Sequence, residues 1–172
     1  LLYRWWPGAV SETVRYIVAF VFGLPCVGME IFGISAYSCS VAWFLLAMFL
    51  THNILNIILK IQDQKLQIVM VMGCVLIGYA CAINKIWYFC IPQGFLATGY
   101  SYLGYLMKKT KLLQKKIPIW VYMILIFISV AELIWGEYNL ANSIYKRGIL
   151  DYIGSIATGL LFMRCAFFAN YF

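Results

Sequence analysis

Apolar residues run through this chain in blocks of about twenty, separated by short polar tips. A helix rising 1.5 Å per residue needs ~20 apolar residues to cross ~30 Å of hydrocarbon. Six stretches meet that length or nearly so: 14–34, 41–60, 66–83, 86–107, 117–135 and 149–168. The runs Val69 to Val75 and Ile124 to Val130 are continuously apolar, so the period-two alternation of a membrane β-barrel is absent. The pattern therefore predicts an all-α, polytopic transmembrane helical bundle of about six spans, forming one domain over residues 1–172.

Composition strengthens that reading. The chain is 65% hydrophobic and 11% charged, and a charge at a bilayer centre costs about 2.5–3.5 kcal/mol on insertion scales. Basic residues then set orientation, since short loops rich in Lys and Arg stay in the cytoplasm. One side holds Arg4, Arg15, Lys60, Lys65, Lys108, Lys109, Lys111, Lys115 and Lys116, against Lys85, Lys146 and Arg147 on the other. Both ends and the 108–116 loop are expected inside. That loop, KKTKLLQKK, joins two spans where anionic headgroups attract it, so the expected partner is the lipid bilayer and not nucleic acid. The six cysteines form no C-x-x-C pair and read as small buried hydrophobes, with no metal site signalled. The opening LLYRWWP, with no initial Met, reads as a segment cut from something longer. Ser11 and Glu12 read as a helix cap behind an interfacial turn.

Polar groups inside spans carry the candidate chemistry. The second span holds Thr51, His52, Asn53 and Asn56; the last three share one helical face, expected toward the bundle interior. His52, the only histidine, is a candidate general base; the plainer reading is a packed histidine bonded to an asparagine. Glu30, Glu132, Glu137 and Asp151 map to outer span ends among Tyr37, Trp43, Trp87, Tyr88, Trp135, Tyr138, Tyr145 and Tyr152, near Asn139, Asn142 and the Lys146–Arg147 pair. Such a set suits either an ordinary aromatic belt or a sugar-binding face. Pro92 is expected to kink the fourth span, with Gly94, Gly99 and Gly104 letting a neighbour approach. Arg164 sits deep in the last span, able to snorkel or to meet a phosphate-bearing donor.

Taken in order, several stretches resemble one family. SVAWFLLAMF at 40–49 is similar to the W-F-L-x-A-L-F span of the acyltransferase 3 family, the integral-membrane enzymes that O-acylate sugars. YLGYLMKK at 102–109 resembles that family's F-x-x-L-G-Y-L-L-R-K. The Asn139 to Asn142 loop and the span after it, with Gly154 and Gly159, resemble the segments that follow. The resemblance implies a whole protein of about ten spans in a bacterial cytoplasmic membrane. It implies acyl-CoA, most simply acetyl-CoA, as donor substrate, with no bound cofactor, and a sugar or glycolipid acceptor. Trp43, Phe44, Asn53, Asn56, Gly104 and Tyr105 would then be substrate-binding. The family's catalytic histidine and R-x-x-A arginine have no match here, and His52 does not stand in for that histidine. The rival reading is a transporter or flippase-like module without acyl-transfer chemistry; a third is a structural membrane subunit. No oligomeric state is indicated.

Overall fold

The computed structural model describes residues 9–25, 29–31, 34–39, 42–86, 88–140 and 144–169, and the chain divides into two compact units, Leu1–Gly99 and Tyr100–Phe172. Trp5, Trp6, Cys26, Trp87 and Asn142 lie outside the described residues.

The first unit opens with helix α1 (Ala9–Val21), followed by an antiparallel hairpin of β1 (Met29–Ile31) and β2 (Ile34–Ala36), with Met29 opposite Ala36. The helices α2 (Ala42–Leu59) and α3 (Gln64–Ile83) come next, then a 3-10 turn, Tyr88–Cys90, and the start of α4 (Ile91–Thr110). A small core of Ala19, Leu24 and Ala36, flanked by Val18 and Phe22, ties α1 to the hairpin. The start of α3 is cut sharply by Asp63, whose side chain accepts the backbone N–H of Lys65 at 2.9 Å and so supplies one of the four partners a helix N-terminus lacks.

The expected first span, 14–34, is not a helix throughout. α1 stops at Val21 because Gly23 takes φ +57°, where a Cβ would meet Leu46 Cδ1 at 2.8 Å and Phe89 Cα at 3.0 Å. Pro25 follows, and the chain turns back through the hairpin. Thirteen helical residues reach about 20 Å, short of the hydrocarbon core. The return brings Tyr37 onto the first turns of α1: its ring lies 4.7 Å from that of Tyr16 and its hydroxyl donates to Glu12 Oε1 at 3.5 Å. The helix also begins at Ala9, so Ser11 lies within its first turn and is not its cap.

The fourth span departs from expectation as well. Phe89 and Cys90 both have positive φ, 53° and 54°, and the chain breaks there, just before α4. Pro92 therefore sits in the first turn, where its missing N–H costs nothing, and starts the helix instead of kinking it. Gly94 does allow close approach: a Cβ on it would lie 2.8 Å from Leu50 Cβ. Gly104 does not, having open space beside it.

The second unit continues α4, turns through Leu112–Gln114, and forms α5 (Ile119–Trp135), a hairpin of β3 (Tyr138–Asn139) and β4 (Ile144–Tyr145), and α6 (Ile149–Ala169). α5 and α6 run antiparallel: Glu132 near the end of one meets Arg147 beside the start of the other, while Arg164 lies over Tyr122.

Three helices, α2, α3 and α6, are long and apolar enough to cross a membrane; α5 is apolar but has 17 residues. Their outward faces are apolar to a degree a soluble domain rarely tolerates. Leu133 is 87% exposed and Phe162 74%. This is the surface of a membrane protein built mainly of helices.

Candidate functional site

α2 has two chemically distinct faces. Ala47, Thr51 and Ile58 form the packed one, where the Thr51 hydroxyl is fully buried and bonded to Ala47 O at 2.7 Å and Gly94 O at 3.0 Å. His52, Asn53 and Asn56 share a face, as the spacing required, but it is the opposite one and all three are exposed. The reason is that Thr51 can satisfy its single hydroxyl against helix carbonyls in a tight contact, which two amides and an imidazole cannot. Asn53 Nδ2 donates back to Phe49 O at 2.8 Å. At the head of α2, Trp43 and Phe44 meet edge to face at 5.9 Å, Phe44 half exposed. In the second unit Gly104 is exposed, and the Tyr105 ring lies 6.0 Å from that of Tyr102 with Lys109 Nζ over it at 5.8 Å.

The α5–α6 hairpin end gathers Glu132, Arg147 and Asp151 into one cluster. Arg147 donates through Nη2 to Glu132 Oε2 at 2.6 Å, and through Nε and its backbone N–H to Asp151 at 3.1 and 2.8 Å. The hydrogen bond to Asp151, with that to Glu132, raises the Arg147 pKa above its ordinary value. Asp151 is fully buried, and Gly136 and Gly154 leave the space the Glu132 carboxylate fills. Ser129 Oγ and Glu132 Oε1 are buried without a hydrogen-bond partner among the described residues. Nearly two turns into α6, Ser155 Oγ pairs with Tyr100 OH at 2.5 Å, and the Tyr100 and Tyr152 rings lie 4.7 Å apart. Nothing in the spacing along the chain singled out Ser129, Tyr100 or Ser155.

At the other end of that hairpin Arg164 is 4% exposed. Its Nη1 donates to Leu113 O and its Nη2 to Lys115 O at 2.6 Å, and its guanidinium lies over Tyr122 and Phe168 at 5.8 and 5.6 Å from the ring centres. A cavity of about 410 Å³ opens beside it. An arginine inside an otherwise apolar span was the signal available in advance.

In the first unit, Tyr16, Phe20, Ser38 and Cys39 border a second cavity of about 460 Å³. Arg15 lies 5.7 Å from the Tyr37 ring centre beside it. Burial pushes the Cys39 thiol pKa up.

Set beside known proteins, the chain matches no family model, no curated protein and no solved structure.

Proposed function

We propose that the chain is the membrane-embedded wall of an O-acyltransferase that moves an acyl group, most simply acetyl, from acyl-CoA to a hydroxyl of a sugar or cell-envelope glycan. The observation that carries the reading is the outward stripe of His52, Asn53 and Asn56 on a helix long and apolar enough to cross a bilayer. A polar row of that kind is costly against hydrocarbon, so it belongs to a polar path that further helices enclose. Trp43 and Phe44 stand at one end of α2 and supply ring faces for an acceptor.

In this reading the acceptor hydroxyl loses its proton to a general base as its oxygen attacks the thioester carbonyl carbon. The C–S bond breaks, the CoA thiolate takes up a proton, and an ester and free CoA remain. The family's catalytic histidine has no counterpart in this sequence, and His52 is not assigned that role. We further propose five crossings, α2 to α6, with the 108–116 loop and C-terminus inside and amphipathic α1 lying in the interface. The membrane is the bacterial cytoplasmic one.

The test is release of free CoA thiol, with radiolabelled acetyl appearing in glycan, by the protein purified from its own membrane and supplied with acetyl-CoA and cell-envelope acceptors. Loss of label transfer in His52→Ala with Asn56→Ala is the expected result. An absence of transfer to every acceptor tried, with donor intact, ends the reading.

One observation favours the transporter alternative: the backbone break at Phe89 and Cys90 ahead of α4, with Gln93 fully buried just beyond it. Broken helices often line substrate paths. Flux of a glycolipid across liposomes lacking any CoA derivative would favour that reading.

A further inference from the structure

The cavity beside Arg164 carries an inference independent of acyl transfer. Arg164 is a buried guanidinium, and no carboxylate among the described residues pairs with it; the ion pairs there all belong to Arg147. Two backbone carbonyls and two rings hold it in place, yet its Nε is buried with no hydrogen-bond partner among the described residues. A buried cation is costly unless a counter-charge meets it. Lys115 and Lys116 line the same cavity, so three cationic residues border about 410 Å³ of space, with no acidic residue among the described residues of its wall. Tyr122, Phe167 and Phe168 make the remainder largely aromatic. Cationic floor and apolar side together fit a ligand that is anionic at one end and greasy at the other.

We propose that this cavity seats the phosphate of an anionic phospholipid, with Arg164, Lys115 and Lys116 around the phosphodiester and Phe167 and Phe168 against the first methylenes of the acyl chains. The lysine loop thereby becomes a specific lipid site in addition to a surface that headgroups attract diffusely. A guanidinium already fixed by carbonyls loses little side-chain freedom on meeting a phosphate.

The experiment is native mass spectrometry of the detergent-solubilised chain, titrated with phosphatidylglycerol and with phosphatidylcholine of the same acyl chains. One phosphatidylglycerol is expected to bind in preference. Arg164→Gln removes the loop clamp together with the charge, so the pair Lys115→Gln, Lys116→Gln carries the test, with about 30-fold weaker binding expected. Lys108→Gln with Lys109→Gln removes the same charge outside the cavity and should weaken binding far less. Equal retention of the two lipids overturns the site, as does equal weakening by the two lysine pairs or wild-type binding by the first. Displacement of the lipid by millimolar coenzyme A, a soluble phosphate carrier, would give the cavity to a soluble ligand and overturn the lipid assignment.

Discussion

Arg147 reaches across fifteen residues of chain to place Nη2 2.6 Å from Glu132 Oε2, while its Nε and backbone N–H hold Asp151 four residues on. One cation thus fastens the end of α5 to the start of α6. Asp151 is fully buried, and removing one member of such a cluster strands the others' charges. Asp151→Ala should lower the unfolding free energy by on the order of 3 kcal/mol, read by thermal unfolding in detergent. Asp151→Asn, which keeps hydrogen-bond acceptance without charge, should lose less. Unchanged melting in both would show the cluster to be dispensable.

The same cluster makes a prediction about two glycines on α6. A Cβ at Gly154 would press on the Glu132 carboxylate, whereas nothing lies within 4 Å of one at Gly159. Gly154→Ala should destabilise by about 1–3 kcal/mol through overpacking. Gly159→Ala should stabilise by up to about 1 kcal/mol, because alanine gives up less backbone freedom in a helix. Equal effects at both positions would contradict the seating of Glu132 against α6.

Cys39 provides a pH test. Burial raises its thiol pKa, with hydrogen bonds from its own backbone, the Trp43 backbone and the Cys90 thiol working weakly the other way. The thiolate is the reacting form, so alkylation should be slow at neutral pH and climb about tenfold per pH unit until the thiol ionises. Maleimide adducts quantified by peptide mass spectrometry at several pH values would show this. A rate at neutral pH equal to that of the denatured chain would remove burial as the controlling feature.

Parts of this architecture were legible in the residue pattern and parts were not, for physical reasons. α2, α3 and α6 end within a few residues of the limits read from the apolar runs, because polar stops such as Asp63 and Asn84 coincide with real caps. The run through 14–34 misled because apolarity persists across Gly23 and Pro25, where backbone geometry, not polarity, ends the helix. The sharing of one face by His52, Asn53 and Asn56 followed from helical spacing, but which way that face points depends on what packs against Thr51. The Glu132–Arg147 pair was visible only as two charges assigned to the same side. Its formation depends on the β3–β4 pairing that brings residue 147 back to α5.

The two faces of α2 can be told apart by substitution. Thr51 fills the packed face and bonds to Ala47 O and Gly94 O; Thr51→Val keeps its shape, removes the hydroxyl and leaves the Gly94 carbonyl without that donor. The cost should be about 1 kcal/mol. His52 and Asn56 are on the exposed face, so His52→Ala and Asn56→Ala should each change stability by less than about 0.5 kcal/mol. If transfer or transport is nonetheless lost in those two variants while melting is unchanged, the stripe works on a substrate. Destabilisation by His52→Ala matching that of Thr51→Val would mean that the stripe packs against another element, and the polar path would have to lie elsewhere.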